Sequence, residues 1–240
     1  MSAKRKQSYG NESITSLKGA DRVRLRPAVI FGSDGLEGCQ HSFFEILSNS
    51  IDEAREGHGR LIRVTRHRDY SITIEDQGRG IPVEYNQKEE RYNWELVFCE
   101  LYAGGKYSNN TGENYEFALG LNGLGACATQ YSSEFMDVMV FRDGYKYELH
   151  FERGINIGGL TKTKFNAEYT GTIQTWKPDR EVFTDIRIPA EFFRDTLKKQ
   201  AVVNAGLVFE FTDEESGTTE TFLYENGIVD YVQELNGDRG

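Results

Sequence analysis

The pattern of apolar and polar positions divides the chain into stretches of helix and strand character. Residues 1–17 are polar, with isolated apolar positions at Tyr9, Ile14 and Leu17, which predicts an extended arm outside any core. Residues 18–26 fit a short helix stopped by Pro27. A glycine-bearing link over residues 32–38 then leads into a long helix over residues 40–56, ended by Gly57 and Gly59. On that helix Phe43, Phe44, Leu47, Ile51 and Ala54 fall on one side. Glu45, Asn49, Asp52 and Glu56 recur at helical spacing on another.

Strand character follows. Residues 61–67 carry β-branched side chains, and residues 70–76 alternate Tyr70, Ile72 and Ile74 against Ser71, Thr73 and Glu75. Residues 94–102 return to helical spacing. Residues 104–116 are polar, rich in glycine and asparagine and longer than an ordinary turn, as lids are. A short helix is expected over residues 126–131. A hairpin joins residues 135–142 to 145–152 through the two-residue turn Asp143-Gly144. A strand over residues 172–176, a helix over 189–203, a strand pair over 207–212 and 219–224, and a last helix over 228–235 complete the series. Strands beside strands with helices grouped between them predict an α+β fold: a two-layer sandwich with a mixed, mostly antiparallel sheet and helices on one face.

Composition narrows the class. With 240 residues, 38% of them hydrophobic, the chain can bury one substantial core. No apolar run approaches the roughly 18 residues of a membrane span, and the polar, basic residues 1–7 do not read as a signal peptide. Cys39, Cys99 and Cys127 are odd in number and widely spaced, which argues against a disulfide framework or a zinc site and fits a reducing cytoplasm. The balance of 28 basic and 38 acidic residues gives a formal charge of −10, unsuited to a major nucleic-acid-binding surface.

Three clusters are candidates for chemistry. On the long helix, Asn49 can offer a carboxamide oxygen to Mg²⁺, and Glu45, one turn earlier, can orient or deprotonate a water. The same stripe also fits an ordinary solvated helix face. Asp76 continues the core-facing side of its strand, so its carboxylate must accept hydrogen bonds, and an adenine amino group would supply one. Gly78 and Gly80 beside it would let the backbone approach a flat ring, although Asp-x-Gly is also a common turn cap. Gly120, Gly123 and Gly125 precede a helix and can expose backbone N–H groups to phosphate, a weak signal alone that fits neither the P-loop nor the dinucleotide fingerprint.

In this order the three clusters resemble the ATP-binding fold shared by the B proteins of DNA gyrase, 90-kDa heat-shock chaperones, MutL-type repair proteins and histidine kinases (the GHKL fold). The blocks between them resemble the type II topoisomerase branch: residues 9–19 with Val23-Arg24-Leu25-Arg26-Pro27, Asn49-Ser50-Ile51-Asp52-Glu53-Ala54, Ala103-Gly104-Gly105-Lys106-Tyr107, Tyr169-Thr170-Gly171-Thr172 and Trp176-Lys177-Pro178. A chaperone- or kinase-type ATPase signalling through a partner is the alternative reading, and a nucleotide-gated binder without turnover is a third. The arm and residues 103–107 speak against the chaperone or kinase reading. Glu45 speaks against a mere binder.

The resemblance implies an arm over residues 1–19 and an ATPase domain over 20–240, with a transducer and later domains absent from this chain. It implies Glu45 as general base assisted by His41, and Asn49 as the Mg²⁺ ligand. Asp76 would read the adenine of ATP with Thr172 acting through water. Arg79 would lie over the nucleotide site, paired with Glu53, while Gly80, Ile81 and Pro82 line the adenine pocket. Gly104, Gly105, Lys106, Gly120, Leu121, Asn122, Gly123, Leu124 and Gly125 correspond to the phosphate loop and lid. Tyr9 would reach a partner protomer's nucleotide, Ile14 would sit at the dimer interface, and Arg142 would line the outer pocket, although an exposed strand charge fits Arg142 as well. The implied partners are the topoisomerase A protein and DNA in the full assembly, a second copy in an ATP-dependent homodimer, and aminocoumarin-type competitive inhibitors. Asn122 stands where the family carries histidine, and Phe117-Ala118 replaces a segment that usually carries lysine, so the lid's phosphate contacts depart from the family pattern.

Overall fold

A computed structural model of the chain describes residues 19–101 and 125–237. Their helices are α1 (Ala20–Leu25), α2 (Pro27–Phe31), α3 (Leu36–Arg55), α4 (Asn93–Cys99), α5 (Gly125–Tyr131), α6 (Ala190–Val203) and α7 (Ile228–Gly237). The strands are β1 (Leu61–Arg66), β2 (Ile72–Asp76), β3 (Tyr85–Asn86), β4 (Arg91–Tyr92), β5 (Ser133–Arg142), β6 (Tyr145–Glu152), β7 (Ile155–Lys164), β8 (Gly171–Pro178), β9 (Val208–Asp213) and β10 (Thr218–Phe222).

Eight strands form one sheet in the order β10-β9-β1-β2-β8-β5-β6-β7. Its pairings are antiparallel except β1 with β9, which run parallel. This is the mixed, mostly antiparallel sheet that the sequence predicts. Ile62, Val64, Ile74, Met136, Val138, Trp176, Phe209 and Phe211 are buried on one face, under α3, α5 and α6. The alternate positions Arg63, Thr65, Thr73, Glu75 and Thr175 are polar and only partly covered, so helices occupy one face and polar side chains the other.

The Asp143-Gly144 turn forms as expected, with both residues at positive φ (53° and 77°), and joins β5 to β6. Four expectations need correction. Pro27 ends α1 but also opens α2 as its first residue, where its missing N–H costs nothing. The long helix begins at Leu36, not at residue 40: Gly38 lies inside it because a Cβ there would stand 2.0 Å from the Ser33 carbonyl oxygen. Phe44 does not share the buried side of α3. It is 38% exposed, while Ile46 and Ser50 join Phe43, Leu47, Ile51 and Ala54 beneath the helix. Finally, β7 has no counterpart in the sequence reading. It is an edge strand with Gly158 and Gly159 at its centre and no buried position, so no alternating pattern announces it.

Candidate functional site

The site is built where the C-terminal end of β2 meets α3 and β8. Asp76, the last residue of β2, is 7% exposed. Its Oδ2 accepts a hydrogen bond from Ser50 Oγ at 2.7 Å, and its Oδ1 accepts the backbone N–H groups of Gly78 at 3.0 Å and Thr172 at 3.3 Å. Burial pushes this carboxyl above the usual aspartate range, and the three hydrogen bonds only partly offset it. With a single protein donor on Oδ2, the carboxylate keeps acceptor capacity for one more donor. The core-side placement read from the strand alternation is observed.

The turn after β2 is fastened on both sides. The backbone N–H of Ile81 donates to Thr172 Oγ1 at 3.1 Å, which holds Ile81 and Pro82 against β8. Arg79 Nη2 pairs with Glu53 Oε1 at 2.6 Å and Glu56 Oε2 at 3.0 Å, the first of these being the pair implied by the resemblance. Burial pushes the Glu53 carboxyl up, but hydrogen bonds from the Arg79 side chain and backbone outweigh it and hold Glu53 below the usual range. Arg142 Nη1 donates to the Gly80 carbonyl at 2.9 Å, bringing β5 to the rim of the same turn.

Glu45 and Asn49 lie on α3, both half-buried. His41 Nδ1 is 3.1 Å from the Phe31 carbonyl oxygen, which can only accept, so that nitrogen carries a proton. Nε2 then faces Glu45 Oε1 at 3.4 Å. The N-terminus of α5 abuts the same glutamate: a Cβ on Gly125 would stand 2.8 Å from Glu45 Oε2 and 3.3 Å from its backbone oxygen. Gly125 thus brings the end of the glycine run against the candidate base. The Asn49 carboxamide makes no hydrogen bond among the described residues. No cluster of three or more metal-ligating side chains occurs among the described residues. The Asn49 carboxamide oxygen could serve as one ligand of a divalent ion whose other positions are filled by phosphate and water, as Mg²⁺ allows.

The structure brings together Glu45, His41, Asn49, Glu53, Asp76, Arg79, Gly80, Ile81, Thr172 and Gly125. Tyr9, Ile14, Gly104, Gly105, Lys106, Gly120, Leu121, Asn122, Gly123, Leu124 and the Phe117-Ala118 departure lie outside the described residues. Two participants went unread in the sequence. Ser50 sits within the apolar stripe of α3, and a buried hydroxyl there needs a partner, which was the available signal. Tyr169 donates from its hydroxyl to Glu75 Oε1 at 3.1 Å behind Asp76; the sequence marks it only as part of the block over residues 169–172, with no role of its own.

The chain is similar to known proteins in both sequence and structure. The family model described as histidine kinase-, DNA gyrase B-, and HSP90-like ATPase matches residues 36–152. The DNA gyrase B protein of Thermotoga maritima is 39% identical over 230 residues, covering 96% of this chain and 36% of that protein. The DNA topoisomerase 4 B protein of Bacillus subtilis is 35% identical over 243 residues, covering 100% and 36%. The 43K ATPase domain of Thermus thermophilus gyrase B, solved in complex with an aminocoumarin, superposes with a TM-score of 0.78 at 34% identity, covering 90% of this chain and 54% of that one. The chain spans about a third of the length of these curated relatives.

Proposed function

Since the chain belongs to the histidine kinase-, DNA gyrase B- and HSP90-like ATPase family, we propose that it is the ATP-binding and ATP-hydrolysing domain of the B protein of a type II DNA topoisomerase. The observation that carries this reading is Asp76: a buried carboxylate with one open acceptor position, backed by Ser50 and Thr172, next to a helix bearing Glu45 and Asn49. A buried charge that keeps spare hydrogen-bonding capacity is suited to a ligand donor, and the 6-amino group of adenine is one.

In this reading ATP enters with its base against Ile81 and Pro82 and its amino group on Asp76. Thr172 supports the ring through a water, and Arg79, held by Glu53, lies over the nucleotide. Glu45 orients a water for attack on the γ-phosphorus and takes its proton, with His41 beside it, as the bond from that phosphorus to the β–γ bridging oxygen breaks and ADP and inorganic phosphate leave; Asn49 would hold Mg²⁺. The ion, when bound, offsets charge on the phosphate oxygens. Gly104, Gly105, Lys106 and residues 120–125 supply donors to the phosphates. Glu45 then releases its proton to solvent and is ready for the next turnover.

At the level of the whole protein, ATP-dependent dimerisation through Tyr9 and Ile14 would drive strand passage of DNA held elsewhere in the assembly, with the topoisomerase A protein as partner. The gyrase and topoisomerase 4 relatives match at comparable identity, 39% and 35%, so the proposal is placed at the level of the type II enzymes. Aminocoumarin-type compounds would compete for the Asp76 pocket. Among the described residues no helix is long and apolar enough to cross a membrane. The proposed action on DNA with the topoisomerase A protein places the protein's work in the cytoplasm. The test is a competition assay: labelled ATP bound to the purified chain should be displaced by ATP and by an aminocoumarin but not by GTP. Equal displacement by ATP and GTP would count against adenine reading by Asp76.

A further inference from the structure

Gln174 lies on the core-facing side of β8, between Thr172 and Trp176, and is 2% exposed. Its Oε1 is enclosed and has no hydrogen-bond partner, and among the described residues no hydrogen bond holds its Nε2. A buried amide left in that condition is costly, so a water or a ligand must pair with it.

Its place in the sheet says which. Gln174 is the register partner of Ile74, two residues before Asp76 on the same face of β2. Thr172, two residues before Gln174 on the same face of β8, is the residue whose N–H reaches Asp76 Oδ1. Same-face neighbours on a strand stand about 6.6 Å apart, a separation that a glutamine side chain can cover. Gln174 therefore occupies the next position inward from the Asp76–Thr172 pair, on the floor of the same site.

We propose that Gln174 is a second base-reading residue, its carboxamide pairing with the ring edge of the adenine whose amino group Asp76 accepts. This rests on the ATP reading given above. A carboxamide presents a donor and an acceptor in one plane, and adenine presents an N–H donor beside the ring acceptor N7, so the two match at two points. Guanine carries a carbonyl oxygen at that position, which would face the Asp76 carboxylate. The two residues together thus favour adenine. Trp176 Nε1 is also buried without a partner, so a water joining it to Gln174 is the competing structural account.

The test is Gln174→Leu, which keeps the size and removes the polar group, with Gln174→Met repeating it should leucine fail to pack. Calorimetric titration with ATP and 7-deaza-ATP is combined with the melting temperature of the ligand-free chain. The expected result is an ATP affinity lowered roughly five- to a hundredfold, the worth of the two neutral hydrogen bonds removed. The wild type should favour ATP over 7-deaza-ATP, the variant should not, and the ligand-free melting temperature should not fall. An ATP affinity within twofold of wild type, or a preference for ATP that survives in the variant, would overturn the proposal. A drop in ligand-free melting temperature with affinity unchanged would do the same, in favour of the bridging water. Failure of the wild type to bind ATP, or full affinity in Asp76→Asn, would instead overturn the nucleotide reading beneath it.

Discussion

Ser50 Oγ donates a 2.7 Å hydrogen bond to Asp76 Oδ2, tying the middle of α3 to the end of β2 directly beneath the proposed adenine site. The hydroxyl is buried and the carboxylate is one of the few charges on the core side of the sheet. Ser50→Ala removes a hydrogen bond to a charged acceptor, which is worth about 1.5–3 kcal/mol. A fall of that size in unfolding free energy, read from denaturant midpoints at neutral pH, is the expected outcome. A change below about 0.5 kcal/mol would mean that water replaces the serine without cost.

Asp76 sets a conflict between stability and binding. Its carboxyl titrates above the ordinary aspartate value because burial penalises the charge. A raised folded-state pKa means that protonation favours the folded chain. That contribution is complete below the unfolded value and is lost as pH rises through the folded one. Binding needs the ionised form. ATP affinity should therefore fall as pH drops toward the raised Asp76 value, while the ligand-free chain gains stability from this group over the same window. Asp76→Asn should flatten both dependences and leave the ligand-free melting temperature equal or higher at neutral pH. Parallel titrations and melting curves between about pH 4 and 7 check this, and a lower melting temperature for the variant would contradict it.

Gly125 touches Glu45 with no room for a methyl group. Gly125→Ala should push Glu45 away from its position beside His41 and slow ATP hydrolysis by one to two orders of magnitude, as misplacing a catalytic group does. The adenine contacts lie elsewhere, so affinity for ADP should change little. Steady-state turnover and ADP titration separate the two effects, and a loss confined to ADP affinity would remove Gly125 from the hydrolytic end of the site.

Much of the fold and of the site is legible in the sequence for physical reasons. The β5–β6 hairpin announces itself because two residues at positive φ need a turn such as Asp143-Gly144. Asp76 can be placed on the core side because alternation along residues 70–76 leaves no other face for it. The Arg79–Glu53 pair comes from the resemblance and not from spacing, since residues 26 apart on different elements share no periodicity. β7 stays hidden because an edge strand with no buried face has no hydrophobic pattern to read. Ser50 and Gln174 stand in the sequence as single polar residues. Ser50's partner, Asp76, lies 26 residues away on β2, and the place of Gln174 beside Ile74 follows from cross-strand register, which only the folded sheet defines.

The proposed function divides the labour between two residues: Asp76 governs affinity for ATP and Glu45 governs the rate of its hydrolysis. The direct measurement is ATP affinity by calorimetry and single-turnover hydrolysis on the wild type, Glu45→Ala and Asp76→Asn. Glu45→Ala should bind ATP within about twofold of wild type and lose about 10²–10⁴ in rate. Asp76→Asn should lose roughly ten- to hundredfold in affinity, the range of a charge-assisted hydrogen bond, while its saturated rate stays near wild type. If affinity and rate instead fall together in Glu45→Ala, or neither changes in Asp76→Asn, the division of labour between these two residues is wrong.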